Sequence, residues 1–127
     1  MDFKKIPNYR KKSLLNNNYK KWKENKFETE GFFPIFISFK EEFLLKNLSG
    51  NALKLYIYLG LRSGNNTGET WISIETICKY FEKSPRTISY WLKELIDKGL
   101  ISRFQLEKDS SSHTFLLPYS TFNEEER

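Results

Sequence analysis

The chain has 127 residues and a formal charge of +5, with 39% apolar and 17% aromatic side chains. That length suits one hydrophobic core rather than two, and the apolar content excludes a disordered chain. No apolar run approaches the roughly 20 residues of a membrane span, and a lone cysteine, Cys78, excludes an internal disulfide framework.

The charge is unevenly placed. Residues 1–26 hold nine Lys or Arg against Asp2 and Glu24, a net +7, while residues 27–127 carry −2. A basic arm on a near-neutral body points to a polyanion, nucleic acid first, against the alternative of a solubilising tail. There is no Val and one Ala, and Lys, Asn, Ile and Phe are abundant. Such usage is expected of an AT-rich genome, bacterial, phage or plasmid. The charged N-terminus lacks an apolar h-region, so no signal peptide is expected. The single thiol fits a reducing cytoplasm, and a nucleic-acid partner there would make the location nucleoid-associated.

In chain order, residues 1–26 are expected to form a flexible basic arm, with at most a weak helix around Tyr19–Lys26. FFPIFISF (32–39) contains Pro34, which forbids a central strand, so it is read as an extended segment over the core. Lys40–Lys46 is a short helical turn with Phe43 and Leu44 pointing inward. Ser49 is an N-cap, and Leu53, Tyr56, Ile57, Gly60 and Leu61, widened by Ala52 and Leu59, predict a helix over Gly50–Arg62. SGNNTG (63–68) ends it. Glu69–Ile72 is a short strand with Trp71 as core anchor. Ser73 caps a second helix to Phe81, buried through Ile74, Ile77, Cys78 and Phe81. The turn is Glu82–Lys83.

Ser84 then caps a third helix, with Pro85 at its first position, where a missing N–H costs nothing. Ile88, Leu92, Leu95 and Ile96 form its core stripe, flanked by Trp91, and Gly99 stops it near Lys98. Leu100–Leu106 and His113–Tyr119 read as antiparallel strands around the polar tip Glu107–Ser112. Two short helices, a tight turn and a following hairpin make a helix-turn-helix with a wing, whose physical use is to lay one helix in the DNA major groove. The expected fold is mainly α with a small antiparallel β wing, an α+β winged helix-turn-helix over residues 27–119, followed by an acidic tail over 120–127.

With the stripe buried, the third helix turns Arg86, Ser89, Tyr90, Lys93 and Asp97 to solvent. Ser84, Pro85, Arg86, Ser89 and Tyr90 cluster at its N-terminal half, the half that reads bases, and there the helix dipole favours phosphate. Arg86 can pair with a guanine edge or reach a phosphate. Lys83, Thr87 and Lys93 suit backbone phosphates. An ordinary solvated helix face is the competing reading; the turn, cap, Gly stop and wing weigh against it. Arg103 and Lys108 are the wing's candidate phosphate contacts, although Glu107 and Asp109 leave its tip at −1. In the arm, Arg10, Lys11, Lys12, Lys20, Lys21 and Lys23 are the candidates.

SPRTISYWLKELIDKGLI (84–101) resembles the winged helix-turn-helix domains of bacterial regulators and replication proteins: a capped Arg-Thr-aliphatic start, a Leu-Lys-x-Leu middle and a Lys-Gly-Leu-Ile exit. Residues 32–119 more narrowly resemble the N-terminal modules of primosomal DnaD-like and plasmid or phage replication initiator proteins. There an extended segment and a Leu-Ser-x-x-Ala helix start precede the motif, as LSGNA (48–52) does here. The resemblance implies double-stranded DNA as the partner and Ser84, Pro85, Arg86, Ser89 and Tyr90 as reading residues. The arm falls outside it.

Nothing else in the sequence points to an enzyme. His113 is the only His and Cys78 lies on a helix core face, so packing outweighs catalysis for both. No Gly-rich phosphate loop or metal-ligand spacing occurs, and no cofactor is expected. A homodimer is expected, with half-sites about 34 Å apart or a multiple. The rival class is a protein-interaction scaffold that uses the winged helix without DNA.

Overall fold

The computed structural model describes residues 2–120. The acidic tail expected from residue 120 therefore lies, Ser120 apart, outside the described residues. The chain divides into two compact units, Met1–Phe32 and Phe33–Arg127.

The first unit opens with a 3₁₀ turn, Phe3–Lys5, capped by the Asp2 side chain. A single helix, α1 (Asn8–Thr29), fills the rest, in place of a weak helix confined to Tyr19–Lys26. Pro7 starts it, its fixed φ suiting a helix entry, and most of its residues are good or neutral helix formers. It buries no residue. Its continuity exceeds what the Lys- and Asn-rich composition suggests, because local hydrogen bonding needs no apolar stripe to propagate once started.

The second unit is mostly helical with a small antiparallel sheet. Two single-turn helices, α2 (Ser38–Glu41) and α3 (Leu44–Asn47), lead into α4 (Gly50–Arg62). Strand β1 (Glu69–Thr70), helices α5 (Ile74–Phe81) and α6 (Pro85–Asp97), and strands β2 (Ile101–Gln105) and β3 (Ser112–Leu116) follow. The sheet order is β1-β3-β2, all antiparallel. This is the winged helix-turn-helix: α5 and α6 are the helix pair, and β2–β3 are the wing.

Each of α4, α5 and α6 starts on a serine whose hydroxyl accepts an N–H three residues on: Ser49 from Ala52, Ser73 from Thr76, Ser84 from Thr87. The core packs Ala52, Leu55, Tyr56 and Leu59 of α4 against Ile88, Leu92 and Leu95 of α6, with Ile77 of α5 and Leu100 and Ile101 closing it. Phe33 and Phe39 enter from the segment before α4, both edge-on to Tyr56. A Cβ at Gly60 would run into the Phe33 ring, so α4 approaches that segment only because the residue is glycine.

Four expectations about burial are corrected. Trp71 is no core anchor: it is 65% exposed, because β1 stops at Thr70 and Ile72 takes the inward position. Ile96 is 43% exposed while Trp91 is buried, so the stripe of α6 runs through Trp91 rather than Ile96. Leu61 lies outside the α4 stripe, and Leu55 and Tyr58 replace it. Phe43 points outward with a left-handed backbone (φ 62°), since the chain reverses there between α2 and α3.

Candidate nucleic-acid interface

The turn between α5 and α6 comes first. Glu82 adopts φ 55° and its N–H, with that of Lys83, closes on the Cys78 carbonyl. The left-handed step ends α5 within one residue and lets Ser84 cap α6 at once. The two helices pack on each other through Phe81 and Trp91, edge-on with 5.5 Å between ring centroids.

Behind α6, Ile88, Trp91, Leu92 and Leu95 are buried. In front, Arg86, Ser89, Tyr90 and Lys93 are exposed, as are Lys83, Ser84 and Pro85 at its start. Tyr90 is 60% exposed, and the Arg86 guanidinium lies over its ring at 6.0 Å. The pair sits one helical turn apart, which places a planar fork of donors beside an aromatic hydroxyl. Among the described residues of the second unit, none covers Arg86, Ser89 or Tyr90.

Several expected contacts already have partners within the chain. The Ser84 hydroxyl accepts from Thr87 N and donates to Thr87 Oγ1, 3.2 and 3.1 Å, so both hydroxyls are engaged at the cap. Lys93 pairs with Asp97 at 2.9 Å on the exposed flank. Arg103 is half-buried and donates to Thr114 Oγ1 at 2.6 Å; burial draws its pKa below the usual arginine range. Its guanidinium thus satisfies the fully buried Thr114 hydroxyl instead of standing free on the strand. At the wing tip, the Ser110 hydroxyl donates to Glu107 O and accepts from Glu107 N, and Gln105 donates to Ser110 O. Glu107, Lys108 and Asp109 remain exposed around it. The expected residues that are exposed and lack a polar partner among the described residues are therefore fewer than the sequence indicates: Lys83 in the turn, Arg86, Ser89 and Tyr90 on α6, and Lys108 on the wing.

In the first unit, Arg10, Lys12, Lys20, Lys21 and Lys23 are exposed on α1, and Lys11 is partly covered, its ammonium 5.4 Å from the Phe3 ring centroid. They spread around the helix rather than forming one stripe.

Two features escape a reading of the sequence. Glu94 of α6 accepts from both the backbone N–H and the hydroxyl of Ser49, at 2.7 and 2.8 Å, tying the start of α4 to the back of α6. His113, partnerless in the sequence, bonds Glu69 Oε2 and lies 5.7 Å from the Trp71 ring. Both contacts join residues more than forty positions apart, and no local pattern encodes them. Among the described residues, no group of His, Cys, Asp and Glu is placed to hold a metal ion, and no helix is long and apolar enough to cross a membrane.

No curated protein and no solved structure matches the chain. Residues 46–101 match the family model described as a helix-turn-helix domain, a span running from α3 to the first residue of β2. Over those residues the chain carries a helix-turn-helix domain.

Proposed function

We propose that the chain is a sequence-specific reader of double-stranded DNA that works without catalysis or cofactor. The observation that carries this reading is the exposed N-terminal half of α6. There Arg86, Ser89 and Tyr90 project from a helix held from behind by a buried apolar stripe. A helix N-terminus with a guanidinium and hydroxyls is the chemistry that major-groove edges and flanking phosphates accept. In this reading Ser84 and Pro85 bring the helix start against the DNA, while Lys83 and Lys108 face phosphates; Thr87, Lys93 and Arg103, expected there from the sequence, are engaged within the chain. The basic residues of 1–26, Arg10, Lys11, Lys12, Lys20, Lys21 and Lys23 among them, grip the backbone beside the read site.

The protein, of a bacterium, a plasmid or a phage, acts as a homodimer in the bacterial cytoplasm, either as a transcriptional regulator or as a replication factor of the DnaD-like or initiator kind. An inverted repeat bound upstream of its own gene would mark a regulator, and iterated repeats at an origin would mark an initiator. Selection of bound duplexes from a random pool supplies the sequence that decides. One observation favours a scaffold instead: the wing tip is mixed in charge, with Glu107 and Asp109 around Lys108. A gel shift with random duplex at about 50 mM salt separates the two, because non-specific phosphate binding is strongest at low salt. Retarded duplex is expected; none at that salt would leave the scaffold standing.

A further inference from the structure

The C-terminal half of α1 carries a feature that phosphate binding does not use. Tyr19 and Trp22, three residues apart and so on one face, are 61% and 56% exposed, with ring centroids 5.6 Å apart at a 45° tilt. After the helix ends, Phe32 returns edge-on to Phe27, 4.9 Å between centroids. The two ring pairs wall a cleft of about 370 Å³, with Lys23 and Lys26 at its rim. Lys26 is paired with Glu30, and Lys23 lies over the Phe27 ring at 5.8 Å. Farther up α1, Lys12 and Lys11 follow at helical spacing on the same side as Tyr19 and Trp22.

This arrangement is costly in water, since α1 buries nothing and leaves four large rings wet. What would cover them must present flat π-surface and negative charge together. The unit Met1–Phe32 carries nine Lys or Arg against four acids, a net +5. An aromatic pair flanked by ammonium groups matches a nucleotide chain whose bases are free to stack. A duplex does not offer this, since its base faces are already stacked on one another. The cleft volume lies at the lower end of small-ligand sites, room for a base rather than for a helix or a protein edge.

We propose that the Tyr19–Trp22–Phe27–Phe32 cleft is a stacking site for unpaired bases of single-stranded nucleic acid, with Lys23 and Lys12 holding the flanking phosphates. The proposal rests on residues of Met1–Phe32 alone and stands or falls without the α6 reading.

The test uses the full chain and anisotropy of labelled oligo(dT), oligo(rU), an abasic oligomer of equal length, and a random duplex. The abasic strand keeps the phosphates and removes the bases. Wild type is expected to bind oligo(dT) about tenfold more tightly than the abasic strand, as one or two stacked bases provide. The Tyr19→Leu, Trp22→Leu double variant should lose that preference and bind both strands equally, with duplex affinity unchanged. Because Leu could unsettle α1, the Tyr19→Phe, Trp22→Phe variant provides the control: it retains the rings and should retain the preference. Lys23→Ala should lower the salt slope for oligo(dT) by about 0.7. Arg86→Ala should leave oligo(dT) binding unchanged, which keeps failure of the duplex reading distinct from failure here. Comparing oligo(dT) with oligo(rU) assigns DNA or RNA as the source of the strand. Equal wild-type affinity for oligo(dT) and the abasic strand would overturn the proposal. So would a Phe variant as weak as the Leu variant, or a Leu variant that keeps the preference but loses self-association.

Discussion

Arg86 is the residue on which the duplex reading turns, and its surroundings say how it should behave. Its guanidinium is exposed, forms no salt bridge among the described residues, and rests over Tyr90, which limits its rotamers without neutralising it. A donor held this way arrives at the groove partly ordered. Arg86→Ala is expected to weaken duplex binding by about 1–3 kcal/mol and to flatten preference at one base pair. Arg86→Lys tells the two uses of the residue apart. A phosphate contact tolerates the ammonium, whereas a guanine contact loses its bidentate fork. Titration of both variants against the selected site and a single-base mutant of it reads the difference; weaker binding without change in preference would assign Arg86 to the backbone.

At the scale of elements, the direction of α6 depends on contacts that a linear reading misses. Glu94 holds Ser49 by two hydrogen bonds, so the start of α4 is tied to the back of α6. Ser49→Ala removes the hydroxyl bond and keeps the backbone N–H bond, so the hydroxyl and the carboxylate are expected to be coupled by about 1 kcal/mol in a Ser49→Ala, Glu94→Gln double-mutant cycle measured by urea unfolding. Additive effects would reduce the contact to surface decoration. The caps themselves are legible: Ser49, Ser73 and Ser84 each stand before an apolar period, and each caps a helix. So are the Glu82–Lys83 turn and the Gly99 stop (φ 74°), because left-handed residues and helix periodicity are local properties. What is not legible depends on register between distant strands. Trp71 looks like a core residue because a large ring in a short strand usually is one. Yet the pairing of Glu69 with Phe115 and Thr70 with Thr114 fixes which face of β1 turns inward, and nothing near Trp71 reveals that pairing. Arg103 misleads for the same reason: directly across the hairpin lies Thr114, a buried hydroxyl in need of a donor.

The core also sets a pH limit. Burial pushes the Tyr56 hydroxyl well above the ordinary tyrosine range, with nearby Tyr119 adding to it. A group whose folded pKa is raised contributes its full stability below the unfolded value, about 10 for tyrosine, and loses it as pH climbs from there. The protein should therefore unfold more easily above about pH 10, and Tyr56→Phe should blunt that loss while leaving neutral-pH stability nearly unchanged. Urea midpoints at about pH 8 and about pH 11, either side of the ordinary tyrosine pKa, give the comparison; equal alkaline losses in both proteins would remove Tyr56 as the cause.

On the scale of the whole molecule, charge and recognition are divided between the two units. The second unit, Phe33–Arg127, has as many acids as Lys and Arg residues, so its field offers little general attraction to DNA. The whole of the excess positive charge lies before Phe33. If phosphates are bound mainly by α1 and bases by α6, affinity and preference should be separable by cutting the chain between them. Deleting residues 1–26 is expected to weaken duplex binding at every sequence alike and to lower the slope of log K against log salt by about 0.9 for each phosphate that α1 no longer neutralises. The ratio of affinities for selected and random duplex should stay as it was, because the reading helix is intact. The second unit has its own core and needs no residue of 1–26 to close it, so the truncated chain is a fair test. A deletion that leaves the salt slope untouched would place the phosphate-binding groups on α6 and the wing, and the basic helix would then have to be explained by another ligand.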